Sequence, residues 1–228
     1  MGVHDGHRER LKERFVEHGL DSFNEVNALE LLLFYAIPRK DTNVIAHELL
    51  NRFGSLSQVF DAGVRELCEV PGIGENAAVL LKLIPAIIKK SMIEQGEKAP
   101  VLNNTKAAAK FLVPRFMFER EEFILMLCLD SQRRLISCTE IGRGVPNAVD
   151  TNVRRIAELA LKNRASYVMI AHNHPDGVAL PSREDDYMTR QTRAALDAIF
   201  VPLVDHYIVA GKDVTSYHDS GFFTLFHS

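Results

Sequence analysis

His172 and His174 stand one residue apart in the stretch "AHNHPDGVALPSREDD", and Asp185 follows eleven positions after the second histidine. Residues i and i+2 of an extended strand project to the same side. The two imidazoles at the end of "SYVMIA" can therefore aim at one point. The loop "PDGVALP" lets the first turn of a following helix, which holds Asp185, fold back toward that point. Two imidazoles and a carboxylate make an open zinc site with the fourth position left for water. Zinc brings the pKa of such a water to roughly 7, which makes hydroxide available at neutral pH. The plain alternative is a polar loop whose histidines are solvated and whose Ser182 and Asp185 only cap a helix. It is weakened by the order of the pieces, an apolar strand first and a Ser-x-x-Asp helix start last.

The second half of the chain supplies the elements that must position these residues. It begins after "EQGEKAPVLNNT", residues 94–105, a polar stretch with Gly96 and Pro100 that reads as a linker. The division predicts two domains, residues 1–95 and residues 100–228. In the second, "NTKAAAKFLVPRF" starts as a helix and "EEFILMLCLD" reads as a buried strand. A turn at "DSQRR" leads to an antiparallel partner, "LISCTEI". Cys128, within the apolar run, is expected to be a small core residue. "TNVRRIAELALKN" places Val153, Ile156, Ala157, Ala160 and Leu161 on one stripe of an amphipathic helix. "SREDDYMTRQTRAALDAIF" is a helix capped by Ser182, with Asp185 completing a variant capping box. "VPLVDHYIVAG" and "DVTSYHD" read as final strands, so this half is mixed α/β.

The first half is all-α. Asn24 caps "NEVNALELLLFYAI", which is predicted to run to Ile37, just ahead of Pro38. "DTNVIAHELLNRF" has Asp41 as its cap and Gly54 as its terminator. Two short helices follow, then a longer one, "NAAVLLKLIPAIIKKSM", expected to kink near Pro85. "GHRERLKERF" reads as an exposed helix with i,i+4 charge pairs. In "VPGIGENAAVLLKLI", Gly72, Ile73 and Gly74 form a hairpin between helices of the helix-hairpin-helix kind. Glycines there let backbone amides approach a phosphate, and the next helix N-terminus adds a favourable dipole. DNA contact through this hairpin is one expectation. Against it, residues 1–98 hold 12 lysines and arginines and 15 acids, without the basic surplus that phosphate contact requires. Lys82, Lys89 and Lys90 form either a local patch or a solvated helix face.

Composition narrows the class. No apolar run approaches the roughly 20 residues of a membrane span, and the polar start "MGVHDGHRERLKERF" lacks the apolar core of a signal peptide. Three scattered cysteines without a Cys-x-x-Cys pair fit a reducing compartment, so the cytoplasm is the expected location.

The stretch "HNHPDGVALPSRED" resembles the His-x-His, seven residues, Ser-x-x-Asp signature of the JAMM (MPN/JAB) metalloproteases. Its "HNHP" opening and "PSRED" ending are similar to the bacterial RadC family. The likeness extends through "VDHYIVAG" and "EEFILMLCLD", and a helix-hairpin-helix occupies the same N-terminal position in that family. The resemblance implies a small all-α domain followed by a mixed-sheet α/β domain of the JAB/MPN, cytidine-deaminase-like kind. It implies zinc held by His172, His174 and Asp185, with the Ser182 hydroxyl helping to stabilise a tetrahedral oxyanion. A glutamate at the start of an early strand would take a proton from the water and pass it to the leaving amine. Glu122 is the best match, with Glu121 and Glu140 as weaker candidates. His206, beside Asp205 in "LVDHYIV", either orients a ligand or is an interior histidine satisfied by backbone. Two departures stand out: Asp176 in the metal loop where many relatives have serine, and "NVRRIAE" where Pro-Arg-Glu usually opens the preceding helix. The expected activity is zinc-dependent hydrolysis of a peptide or isopeptide. The rival expectations are a DNA-associated protein whose metal domain is structural or inactive, and a metal-free interaction platform.

Overall fold

The structure is a computed structural model that describes residues 3–94, 99–144, 149–175 and 177–227. Asp176 lies outside the described residues. The chain divides into two compact units, Met1–Ile88 and Lys89–Ser228.

The first unit is helical: α1 (Val3–His18), a 3-10 turn (Gly19–Ser22), α2 (Glu25–Leu33), α3 (Thr42–Phe53), α4 (Leu56–Asp61), α5 (Val64–Cys68) and the first part of α6 (Glu75–Glu94). Side-chain caps start three of them. Asn24 accepts from the Asn27 amide, Asp41 from the Asn43 amide and Ser55 from the Gln58 amide. Leu29, Leu33, Leu49, Val59, Leu67 and Leu81 meet in the core; burying each such side chain stabilises by about 1.5–3 kcal/mol. Glu30 is buried beneath it, yet its carboxylate is satisfied by His7 and by the Asn43 side-chain amide, each at 2.9 Å.

Two expectations need correction here. Helix α2 ends at Leu33 rather than Ile37, because the amides of Tyr35 and Ala36 bond three residues back, to Leu32 and Leu33, and tighten the last turn. Helix α1 is more than an exposed charged helix. Its Leu11 is buried with Leu31 and Phe34, and Arg8 donates to the Ile37 and Lys40 carbonyls at 2.9 and 2.7 Å. Helix α6 runs unbroken through a buried Pro85.

The hairpin between α5 and α6 has a steric cause. Gly72 has φ +93°, and a Cβ there would lie 2.8 Å from Ile45 Cδ1, whereas Gly74 has open space around it. Lys82 is not a free member of a basic patch, since its ammonium donates to the carbonyls of Phe60 and Asp61 at the end of α4.

The second unit contains α7 (Thr105–Phe116), β1 (Phe123–Leu129), β2 (Leu135–Arg143), α8 (Val149–Lys162), β3 (Tyr167–Asn173), α9 (Arg183–Asp197), β4 (Leu203–Ala210), β5 (Asp213–Ser216) and a closing 3-10 turn (Phe222–His227). The five strands form one mixed sheet in the order β2-β1-β3-β4-β5. All neighbours are antiparallel except β3 and β4, whose parallel pairing needs the crossover that α9 provides. Strand alternation sorts the core into two layers. Leu125, Leu127, Leu129 and Met169 pack on Phe111, Leu112 and Phe116 of α7. Met126, Cys128, Val168 and Ile170 face Ile156 and Ala160 of α8 and Met188 and Leu196 of α9. His172 continues the Val168, Ile170 series and so points toward α9.

Candidate metal centre

β3 is the central strand, and His172 pairs across it with Ile124 of β1 and Ile208 of β4. The ladder continues one step past the strand, where the His174 amide donates to the Val209 carbonyl at 2.8 Å. That step keeps both imidazoles on the α9 face. From the other side Ser182 caps α9: its hydroxyl accepts from the Asp185 amide at 3.1 Å, and its own amide donates to Asp185 Oδ2 at 2.8 Å. This capping box turns the Asp185 carboxylate back along the helix toward the strand end.

The three side chains converge. One ligand atom from each of His172, His174 and Asp185 falls within 4.8 Å of the others. His172 Nε2 lies 2.9 Å from His174 Nε2 and 3.0 Å from Asp185 Oδ1, and His174 Nε2 lies 3.5 Å from Asp185 Oδ2. Nitrogen and oxygen ligands at zinc-type bond lengths and tetrahedral angles stand about 3.3 Å apart, so the spacings fit a zinc-sized ion. The donor set fits as well. His174 Nδ1 lies 2.9 Å from the Val178 carbonyl, which can only accept. Its ring proton is therefore on Nδ1, and the Nε2 lone pair faces inward. His172 is 3% exposed, so little water reaches the inner nitrogen.

Electrostatics prepare the acid as a ligand. Burial alone would raise the Asp185 carboxyl, but the hydrogen bond and charge of His172, with the Ser182 hydroxyl and amide, hold it well below the usual carboxylate range. Ser182 carries one hydroxyl proton, and it is donated to Asp185 Oδ2 at 2.7 Å. An oxyanion can receive that proton only when this bond is released.

Glu122 immediately precedes β1 and is exposed, lining one cleft with His172 and Asp185. A neighbouring open cleft of about 990 Å³ takes in Arg120, Glu122, His174, Ser182 and Glu184. Of the other acids weighed from the sequence, Glu140 accepts from Nε and Nη2 of Arg143, at 3.0 and 2.8 Å. Glu121 lines neither cleft.

Two residues missed by sequence reasoning hold the centre in place. Asn173 lies between the histidines and is buried. Its Oδ1 accepts from the Phe123 amide at 2.9 Å and its Nδ2 donates to the Glu121 carbonyl at 3.0 Å, so it clamps the backbone on both sides of Glu122. Thr189, one helical turn after Asp185, reaches His206. The expectation of a backbone-satisfied His206 is replaced by a side-chain chain: its Nε2 is 2.8 Å from His172 Nδ1 and its Nδ1 is 2.6 Å from Thr189 Oγ1. Full burial pushes His206 well below its usual value, with the His172 charge adding to the effect. Tyr217 stacks on its ring at a centroid distance of 4.7 Å. Asp205 does not reach the centre; it accepts from Ser216 Oγ at 2.6 Å and from the His206 and His218 amides. The i+4 spacing of Thr189 from Asp185 was the available signal, but its partner lies on another strand.

The chain is similar to known proteins. The RadC-like JAB domain family matches residues 102–222, and the family described as UPF0758 N-terminal matches residues 6–79. A UPF0758 protein of Fusobacterium nucleatum subsp. nucleatum is 33% identical over 223 residues, 95% of this chain and 96% of the relative. A UPF0758 protein of Cupriavidus pinatubonensis is 33% identical over 213 residues, 93% of each chain. One from a Janthinobacterium species is 31% identical over 214 residues, 94% of this chain and 96% of the relative.

Proposed function

The chain belongs to the RadC-like JAB domain family, and from the donor set at His172, His174 and Asp185 we propose that it is a zinc-dependent hydrolase of amide or isopeptide bonds. The observation that carries the proposal is the convergence of two imidazole nitrogens and one depressed carboxylate at zinc-ligand spacing. A bound zinc would supply a Lewis acid and an acidified water at neutral pH.

The remaining work falls to the protein's own side chains. Glu122 takes a proton at its carboxylate and returns it to the leaving amine. Asn173 keeps the Glu122 backbone fixed beside the cleft while this happens. Ser182 gives up its bond to Asp185 and turns its hydroxyl to the developing oxyanion. The open cleft beside His174 is where a peptide or isopeptide substrate would lie. No helix among the described residues is long and apolar enough to cross a membrane. The free cysteines suit a reducing compartment, and the cytoplasm is the location we propose.

A second, DNA-associated function of the Gly72–Ile73–Gly74 hairpin is not the reading we propose. Packing on Ile45 accounts for Gly72, and the nearby Lys82 is engaged by carbonyls of α4. The test is metal analysis of the purified full chain beside His172→Ala and Asp185→Ala. Near-stoichiometric zinc that both substitutions abolish is the expected result. Substoichiometric metal that neither changes would sink the proposal.

A further inference from the structure

Thr189 has one hydroxyl proton and two neighbours able to take it. Its Oγ1 lies 2.5 Å from the Asp185 carbonyl oxygen and 2.6 Å from His206 Nδ1. A carbonyl oxygen can only accept, so the proton goes to Asp185 and the hydroxyl lone pair accepts from His206 Nδ1–H. The opposite arrangement would press two oxygen lone pairs together at 2.5 Å. His206 is fully buried, and its two ring nitrogens meet a hydroxyl and another imidazole rather than a carboxylate, so it carries one ring proton and Nε2 is bare. The 2.8 Å contact between His206 Nε2 and His172 Nδ1 is then a bond donated by His172. With Nδ1 engaged as a donor, Nε2 is the His172 nitrogen left to face the point shared with His174 and Asp185.

We infer that Thr189 is a positioning residue which, through His206, fixes the tautomer of His172 and so makes its Nε2 a metal ligand. Thr189 and His206 are fully buried, so no solvent competes to reset the direction of these bonds. The chain also closes on itself. The carbonyl that orders it belongs to Asp185, whose side chain is the third ligand, so the helix presenting the carboxylate also dictates which nitrogen of His172 is available. Neither His174, oriented by the Val178 carbonyl, nor the Ser182 cap depends on this route.

The effect on metal affinity rests on the metal reading above, whereas the tautomers belong to the metal-free protein, and two measurements keep them apart. Ring-nitrogen NMR of the metal-free full chain should show His172 and His206 both protonated at Nδ1, with His206 Nε2 bare. A His206 proton on Nε2 overturns the inference. Zinc titration of the wild type, Thr189→Ser and Thr189→Val should show Val weakening binding about 10–100-fold, the usual range for partners of this kind, with Ser close to wild type. Equal affinity of the Val variant and wild type overturns the inference while leaving the metal centre standing. A wild type that binds no zinc removes the metal reading, and the ring spectra still decide the tautomer. The same spectra decide if Thr189→Val fails to fold.

Discussion

Replacing Ser182 with alanine removes two bonds that meet at Asp185. One is the N-cap, in which the hydroxyl accepts from the Asp185 amide, and the other is the hydroxyl's donation to Asp185 Oδ2 at 2.7 Å. Loss of a serine cap costs about 1 kcal/mol. A hydrogen bond to a charged group contributes about 1.5–3 kcal/mol, and the lower end applies here. The carboxylate retains some solvent and keeps the Ser182 backbone amide at 2.8 Å. The two losses overlap in one side chain, so the sum is about 2 kcal/mol. A unit of this size shifts by about 2–4 °C per kcal/mol, which predicts a drop in Tm of about 4–8 °C. The chain has no tryptophan and five tyrosines, of which Tyr167, Tyr187, Tyr207 and Tyr217 lie in the second unit. Near-UV circular dichroism of the full chain therefore reports mainly the unit that contains α9. Ser182→Asn retains the acceptor for the helix amide and should recover about half of the loss. An alanine variant that melts within about 1 °C of wild type would refute the assignment of stability to the cap. An asparagine variant as unstable as alanine would refute the division between the two bonds.

Gly72→Ala must place a Cβ at φ +93° and 2.8 Å from Ile45 Cδ1, so urea midpoints should show a loss of about 2 kcal/mol or more. Gly74→Ala, in open space at the start of α6, should lose no more than about 1 kcal/mol, and equal losses would refute the steric account. The Cys138 thiol is pushed up to about 11 by burial, against a smaller opposing effect of Arg115, and burial also raises Cys128. Exposed Cys68 should therefore be alkylated first at neutral pH, as read by mass spectrometry of timed samples, and comparable labelling of Cys138 would contradict its burial. Burial opposes ionisation of Glu119, but Lys89 and Arg143 outweigh it and lower its pKa from the usual 4.5. A lowered folded pKa adds stability that is present above pH 4.5 and is lost as the pH falls through the folded value. Denaturation midpoints for Glu119→Gln should thus fall less steeply below pH 4.5 than those of wild type, and parallel acid limbs would refute the pairing.

The parts legible in the sequence are those governed by short-range rules. The α9 start follows from capping chemistry within four residues, Ser182 to Asp185, and the shared face of His172 and His174 follows from the two-residue strand period. The run "FILMLCL" announced a strand buried on both faces, which β1 is. What escaped, or stayed open between two readings as His206 did, depends on residues distant in sequence. The His172–His206 contact requires the β3–β4 register, 34 residues apart, and the Asn173 clamp spans 50 residues to Phe123. Helix α1 looked solvent-exposed because its apolar content is small. A single buried Leu11, and arginine bonds to carbonyls beyond α2, fasten it, and no charge pattern encodes those acceptors.

The three metal-facing side chains stand on elements that open at very different rates. His172 is hydrogen-bonded into the middle of a five-stranded sheet, the kind of backbone that separates only when the whole unit unfolds. Asp185 sits in the first turn of α9, where amides have no helical partner four residues back and fraying begins. An ion held among them would leave by a graded route: the helix end lifts, the carboxylate goes with it, and both imidazoles stay on the sheet. In the metal centre we propose, exchange of the ion would therefore follow unwinding of one helical turn, not opening of the fold.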